Sequence, residues 1–214
     1  MKNKINLPSE VPVFPLSNFI IFPETTVPLN IFEPRYIQMI DDAMKSHRLI
    51  GMVQPKKTGD LKKPDLYNVG CLGRITSFNE TEDGRYLIIL NGICRFKIID
   101  EINNDNLYRE CEVKYEDFSN DLVEKTNEIK FSDLKLIFQN LKGLFKKQGY
   151  EINWKEIEKQ SLDQTINTLS MASPFSLEEK QVLLESKDLN LRKKKLEEIL
   201  NTYVLDNFNN KTLQ

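Results

Sequence analysis

The hydrophobic pattern of the chain changes character near residue 118. Before this point the sequence is rich in Pro, Gly, Phe and β-branched residues, and short apolar runs alternate with turn residues. After it, apolar residues recur at helical spacing, and Lys and Glu fill the intervals. The pattern therefore predicts a β-rich part over residues 11–118 and a helical part over residues 119–206, with disordered ends at 1–10 and 207–214.

The β-rich part is predicted to consist of short strands joined by turns. The predicted strands cover residues 11–16, 25–32, 48–53, 70–78, 86–90, 93–99 and 108–115. Asp83-Gly84 and Asn91-Gly92 each predict a hairpin turn, because these dipeptides readily supply positive φ. Segment 11–16 contains two prolines, which cannot donate to a ladder, so we expect an edge strand or a strand end there.

One helix is predicted to interrupt these strands. Pro34 suits its first turn, where the missing N–H costs nothing, and Tyr36, Ile37 and Ile40 belong to its apolar stripe. Seven short strands and one helix favour a small, strongly bent barrel over an open sheet.

The helical part carries clear start and stop signals. An apolar stripe over residues 134–145 predicts a long helix, with Gly149 as its C-terminal cap. Further N-terminal caps are expected at Asn153, Ser161 with Gln164, Ser176 with Glu179, and Asp188. Four or five helices joined by short loops predict a compact bundle, and the whole chain is predicted to be α+β.

Composition limits the partners that the protein is expected to have. The 214 residues include 30 Lys plus Arg and 32 Asp plus Glu, for a net charge of -2. A nucleic-acid-binding protein is expected to be more basic, because phosphate contacts need an excess of cations. No apolar run approaches the roughly 20 residues that cross a bilayer, and no secretory signal follows the start. We therefore expect a cytoplasmic protein whose three cysteines, Cys71, Cys94 and Cys111, are reduced and partly buried.

A search for catalytic patterns predicts no enzyme. His47, the single histidine, lies in a polar run and is expected to be a solvated loop residue. The sequence has no nucleophile elbow, no phosphate-binding glycine loop and no clustered His and Cys, so we expect no cofactor and no metal. The acidic pair Asp41-Asp42 and the run Lys193–Lys195 are expected to be solvated faces of helices.

Several ordered motifs resemble the family of Lon protease N-terminal domains. The matching runs are VFPL at 13–16, FP at 22–23, VPLNIFEPRY at 27–36, LIGMV at 49–53, VGCLGRI at 69–75 and LNGICRF at 90–96. In the helical part WKEIE at 154–158, MASPF at 171–175 and EKQVLLE at 179–185 resemble the short stand-alone bacterial members. The resemblance covers roughly residues 11–205 and implies a PUA-like β-barrel followed by a helical bundle.

The resemblance also implies a function. It predicts a non-catalytic module that binds unfolded or damaged polypeptides, an adaptor or chaperone-like factor that works beside a protease or chaperone. The ATPase and Ser-Lys protease modules of full-length Lon are not matched by this sequence. The alternative, RNA binding, rests on the PUA-like barrel alone, and the acidic charge balance speaks against it.

Two groups of residues are candidates for special roles. Phe32, Glu33, Arg35 and Tyr36 are predicted to be structural: the two rings anchor the helix, and the two charged residues pair with each other or with nearby backbone. Phe19, Ile20 and Ile21 are the candidate polypeptide-binding residues, because an exposed apolar loop at this position could hold unfolded segments. The alternative for this run is that it is one more buried strand.

Overall fold

A computed structural model describes residues 7–17, 19–56, 63–123, 134–147, 149, 153–157 and 159–209, without the side chains from 204 onward. The chain divides into two compact units, Met1–Leu122 and Val123–Gln214. The division therefore falls after Leu122 rather than after residue 118. Each unit is described by itself below.

Six strands, one α-helix and one short 3-10 helix make up the described part of the first unit. The elements are β1 (Glu10–Pro15), β2 (Thr26–Ile31), α1 (Pro34–Lys45), β3 (Leu49–Val53), β4 (Val69–Glu80), β5 (Tyr86–Ile102), β6 (Arg109–Lys114) and the 3-10 helix (Glu116–Leu122). The predicted α+β class is confirmed. The two strands predicted at 86–90 and 93–99 are a single strand, β5.

The strands close into a ring because β5 is long enough to pair with three others. The sheet order is β2-β5-β4-β3-β1-β6, and β6 also pairs with β5, so five strands form a closed barrel with β2 attached outside the ring. The first part of β5 pairs with β2, and its last part pairs with β6. Register shifts in the β4–β5 and β5–β6 pairs supply the bulges that bend the long strands.

The barrel is filled by side chains that alternate inward along each strand. Its core includes Val11, Val13, Leu49, Val53, Leu72, Cys94, Phe96, Cys111 and Val113. A Cβ atom on Gly51 or Gly70 would lie 2.8 or 2.6 Å from the Phe96 ring, so the two glycines leave the space that this ring occupies. Outside the barrel α1 buries one face, and its Tyr36 ring lies 4.3 Å from the ring of Phe14.

The predicted hairpin at Asn91-Gly92 is wrong, because β5 runs straight through it. Gly92 is needed for a close approach instead: a Cβ atom there would lie 2.1 Å from the backbone oxygen of Phe22. The hairpin at Asp83-Gly84 is confirmed, since Gly84 has φ +76° and donates to the oxygen of Thr81 at 2.9 Å. β1 is not an edge strand, but Pro15 does stand at its end.

The regular elements among the described residues of the second unit are all helices. Its helices are α2 (Lys135–Lys147), α3 (Trp154–Ile157), α4 (Leu162–Ala172), α5 (Leu177–Glu185) and α6 (Leu189–Asn209). No helix in the described part of the chain is both long enough and apolar enough to cross a membrane.

The predicted caps are found at the ends of these helices. Ser161 accepts from the Gln164 N–H at 3.2 Å, and Ser176 accepts from the Glu179 N–H at 3.2 Å while Glu179 accepts from the Ser176 N–H at 2.7 Å. The hydroxyl and carboxylate groups satisfy backbone donors that the first helical turn leaves unbonded. Further caps are Asn153, Asp188, which accepts from the Leu191 N–H at 2.8 Å, and Gly149, with φ +75°.

Regular elements reach into the inner limits of the two predicted disordered ends. β1 begins at Glu10, and α6 continues past residue 207 to Asn209. Strand pairing with β6 holds Glu10 in place, because its register partner is Glu112. The outer parts of both predicted ends, 1–6 and 210–214, lie outside the described residues.

Candidate functional site

The apolar run that would be the candidate polypeptide-binding site if its loop were exposed is largely buried. Ile20 is 4% exposed and Ile21 0%, while Phe19 is half-buried. The segment is held down after the run by Thr25, whose hydroxyl accepts from the Phe22 N–H at 3.1 Å and donates to the Phe22 oxygen at 2.7 Å. The expectation of an exposed patch is therefore wrong for Ile20 and Ile21, and the buried alternative holds for them.

The four motif residues at the start of α1 lie in different environments. Tyr36 is buried against Phe14, as an anchor of the helix should be. Glu33 and Arg35 pair with each other, with a shortest distance of 2.8 Å. Phe32 is 65% exposed, so its predicted anchoring role is wrong. The chain leaves β2 at Ile31 and enters α1 at Pro34, and this short connection leaves the Phe32 ring in solvent.

An exposed apolar patch lies elsewhere, on the outer face of the sheet. Leu87 and Ile89 alternate along β5 with the buried Ile88 and Leu90, and they are 43% and 39% exposed. The neighbours that lie opposite them are Pro28 and Asn30 in β2 and Ser77 and Asn79 in β4, all exposed. Leu87, Ile89 and Pro28 are called the sheet patch below. Apolar side chains rimmed by polar ones are typical of surfaces that contact other chains.

The sheet patch adjoins the free edge of β2. In the described residues β2 pairs with β5 alone. The Gly92 N–H donates to the Thr25 oxygen at 2.8 Å, so the Thr25 oxygen faces β5. The backbone groups of successive residues face alternate sides of an antiparallel strand, and those of Thr26 and Asn30 therefore point away from β5. Pro28 lies between them and has no N–H to offer. The edge is thus partly blocked, which limits sheet extension without preventing contact with an extended chain.

A separate cavity of about 410 Å³ opens near the start of α1. Its walls come from the end of β1, the first turn of α1, the segment around Pro55 and Lys63, and the connection from β5 to β6. Arg35 and Tyr36 of the motif line it, together with Glu101, Tyr108 and Arg109. Leu107 stands at its wall with 64% of its surface exposed.

One carboxylate organises the charges of this cavity. Glu101 accepts two hydrogen bonds from Arg109, at 3.1 and 2.6 Å, and lies 2.9 Å from the ammonium of Lys63. Burial alone would raise the pKa of Glu101, but the hydrogen bonds from Arg109 and Lys63 outweigh it and hold the pKa below its usual value. Glu101 is therefore a stable anion that two cations share.

The two tyrosines of the cavity differ in their bonding. The Tyr108 hydroxyl donates to Asp42 at 3.3 Å, and burial together with the nearby acids raises its pKa to about 12. Tyr36 is 5% exposed, and its hydroxyl has no hydrogen-bond partner among the described residues. Burial raises the pKa of Tyr36, and the Arg35 cation opposes this without cancelling it. Tyr36 is therefore a neutral donor in the wall of the cavity.

Sequence reasoning missed both surfaces, for physical reasons. The run from Leu87 to Leu90 is apolar at every position, so its pattern does not reveal which face is exposed. The cavity draws its walls from residues 15 to 109, and no local motif marks it. In the part of the chain that the structure describes, no group of three acidic, His or Cys side chains is placed to hold a metal.

Comparison with known proteins gives a consistent result across the chain. The family model described as "ATP-dependent protease La (LON) substrate-binding domain" matches residues 10–202. A Lon protease of Desulfosudis oleivorans is 27% identical over 198 residues, and the match covers 91% of this chain and 24% of that protein. A Lon protease of Flavobacterium johnsoniae is 29% identical over 201 residues, covering 89% of this chain and 24% of that one. The chain spans about a quarter of the length of these curated relatives.

Solved structures share the fold. The crystal structure of a Lon N-terminal domain protein from Xanthomonas campestris aligns with a TM-score of 0.64 at 21% identity, over 91% of this chain and 98% of that one. The N-terminal domain of a Mycobacterium avium complex Lon protease aligns with a TM-score of 0.61 at 18% identity, over 90% and 98%. The alignments cover most of the residues in both units.

Proposed function

Since the chain belongs to the family of Lon substrate-binding domains, we propose that it is a non-catalytic module that binds unfolded or damaged polypeptides through the sheet patch. We further propose that it acts as an adaptor or chaperone-like factor beside a protease. The observation that carries the proposal is that the exposed side chains of Leu87 and Ile89 lie close to the free edge of β2. An unfolded chain offers both apolar side chains and unpaired backbone groups, and this surface can contact both.

The chemistry of the patch favours weak and promiscuous binding. Covering on the order of 200 Å² of apolar surface contributes about 5 kcal/mol at about 25 cal/mol per Å². The loss of translational and rotational freedom on association offsets about 4 kcal/mol or more of this gain. A single contact is therefore expected to be weak, and affinity should rise when a long unfolded chain makes several contacts in succession.

Pro28 favours transient binding at the sheet patch. A strand that extended the sheet beside β2 would find no donor at Pro28, so continuous pairing is interrupted. The bound segment is held by side chains more than by a ladder. Such a surface releases its ligand readily, as a module that passes polypeptides to a protease must do.

The direct test is binding of a permanently unfolded, reduced and alkylated reference protein, followed by fluorescence anisotropy. We expect Leu87→Asp and Ile89→Asp each to weaken binding at least tenfold, because each places a charge in the apolar contact. Ile99→Asp is the matched control, since Ile99 lies on the same strand with a similar exposure of 44%. The control should bind within twofold of the parent protein.

Two results would overturn the proposal. One is equal binding by the parent protein and by both patch variants. The other is equal loss with Ile99→Asp, because charge anywhere on β5 would then be responsible. An RNA oligonucleotide titrated in the same assay at rising salt tests the alternative function, for which no described residue supplies a specific argument.

A further inference from the structure

The cavity beside Tyr36 lies apart from the sheet patch in the first unit. Its volume of about 410 Å³ lies in the range of ordinary small-ligand pockets. None of the three residues of the sheet patch lines it.

Cationic side chains outnumber carboxylates in the wall of the cavity, although Arg35 is paired with Glu33. Its lining includes three cationic side chains, Arg35, Lys63 and Arg109, and one carboxylate, Glu101. Each of the three nitrogens of Arg109 has a partner: two donate to Glu101, and the third donates to the Pro64 oxygen at 2.7 Å. Lys63 shares the same carboxylate and is 66% exposed. An ammonium has three N–H donors, so Lys63 keeps donors for a further acceptor.

Tyr36 adds a hydroxyl donor to the cavity wall. Its ring is fixed between Phe14 and the Arg35 guanidinium, whose central carbon lies 4.5 Å from the ring centroid. The hydroxyl is thus held in one place in the cavity wall, and among the described residues it has no hydrogen-bond partner. A hydroxyl that bonds no protein group and faces the cavity can donate to an acceptor that enters from outside.

We propose that this cavity binds a carboxylate group. Tyr36 and Lys63 offer donors, and Arg35, whose Nε and Nη2 atoms already contact Glu33, keeps its third nitrogen for a further acceptor. A carboxylate has two oxygens that accept from several donors at once. In its biological form the ligand is the C-terminal or acidic side-chain carboxylate of a bound polypeptide, and in that respect the inference rests on the proposed function. The cavity would then select for acidic or terminal segments, which the apolar sheet patch does not distinguish.

The minimal probe is N-acetylglycine, compared with N-acetylglycinamide, which has the same shape and no negative charge. Binding is followed by the NMR shifts of the backbone amides of Asn106 and Leu107, which line the cavity. We expect the acid to shift these amides in a saturable manner, with an affinity that falls as salt rises, and the amide to leave them unchanged. Equal shifts with both compounds, or none with either, would refute the proposal.

Two variants locate the interaction. Tyr36→Phe removes one oxygen and no protein hydrogen bond, so the melting temperature should stay within 1 °C while the affinity for N-acetylglycine falls about fivefold, the effect expected of one lost hydrogen bond of about 1 kcal/mol. Lys63→Gln should weaken it to a similar degree. Lys97→Gln is the control, because Lys97 is an exposed lysine outside the cavity. Full affinity in both cavity variants would also refute the proposal.

Inorganic phosphate and an apolar peptide with a free or amidated C-terminus complete the test. Phosphate that binds more tightly than N-acetylglycine would overturn the choice of a carboxylate. Peptides that bind equally with either end, and lose affinity only in Ile89→Asp, would refute the cavity proposal and leave the sheet patch intact. Binding of N-acetylglycine without any binding of the unfolded protein would refute the proposed function of the sheet patch and leave the cavity proposal intact.

Discussion

Arg95 and Asp121 form a buried, two-pronged ion pair. The Arg95 Nε and Nη2 atoms donate to the two carboxylate oxygens of Asp121, each at 2.8 Å, and the Arg95 backbone N–H adds a third bond at 2.9 Å. The two side chains are 2% and 6% exposed. Arg95 alternates with the inward-facing Cys94 and Phe96, so its side chain leaves the barrel and is covered by the 3-10 helix. Phe118 of that helix lies over the guanidinium at 4.3 Å.

Removing one partner of this pair should strongly destabilise the first unit. Asp121→Ala leaves a buried guanidinium without its counter-charge, and breaking such a pair typically costs about 3–5 kcal/mol. Hydrogen exchange of the β5 and β6 amides measures the loss within the unit itself. Asp117→Ala is the control, because Asp117 lies 3.8 Å from Lys97 in an exposed pair and should change stability by about 1 kcal/mol or less. Similar protection in both variants would contradict the prediction.

Gly92→Ala should also destabilise the first unit, through a backbone clash. The added Cβ atom would lie 2.1 Å from the Phe22 oxygen, and backbone cannot move aside as a flexible side chain does. We expect a loss of about 3 kcal/mol or more, of the size of other strained substitutions. Gly143→Ala is the opposite case: nothing lies within 4 Å of its added Cβ, and its place inside α2 should make it stabilising by about 0.5–1 kcal/mol. Urea unfolding of the two variants checks both signs.

Local patterns predicted the elements well and the surfaces poorly. Caps such as Ser176 with Glu179 depend on neighbours in sequence, so they could be found from the sequence alone. Gly92 shows the limit: an Asn-Gly pair favours a turn locally, but contact with Phe22, distant along the chain, decided the outcome. The burial of Ile20 and Ile21 could not be predicted for the same reason, because burial depends on what the folded chain places over them. Phe32 is exposed by the geometry of a strand-to-helix connection that its residue type does not indicate.

Stability of the first unit should fall as pH rises above about 9. Burial raises the pKa of Cys94 from 9.0 to about 12 and that of Cys111 from 9.0 to about 11. Below pH 9 the thiols are protonated in both states, so their contribution is fully present. Above it the unfolded chain releases protons that the folded chain keeps, which favours unfolding up to the folded pKa values by about 1.4 kcal/mol per pH unit for each thiol.

Denaturant unfolding between pH 7 and 11 measures this slope. Cys94→Ala should flatten the fall between pH 9 and 11, because alanine has no proton to lose, even though its smaller side chain lowers stability at every pH. A parent protein whose stability is constant or rises between pH 9 and 11 would contradict the linkage. So would an unchanged slope in the variant.

Replacing Gln54 with Met should stabilise the protein. Gln54 is 2% exposed, and neither its side-chain oxygen nor its nitrogen has a hydrogen-bond partner among the described residues. Its backbone oxygen accepts from the Tyr67 N–H at 2.9 Å, a bond that the substitution retains. Methionine has a similar length and no strongly polar atoms, so the buried amide's desolvation cost of about 1–3 kcal/mol is removed.

Gln181→Met is the matched control: Gln181 is also 2% exposed, but its nitrogen donates to Glu185 at 2.7 Å, so the same change should destabilise. Thermal unfolding compares the two, and a Gln54→Met protein that melts below the parent would show that the amide is satisfied in solution.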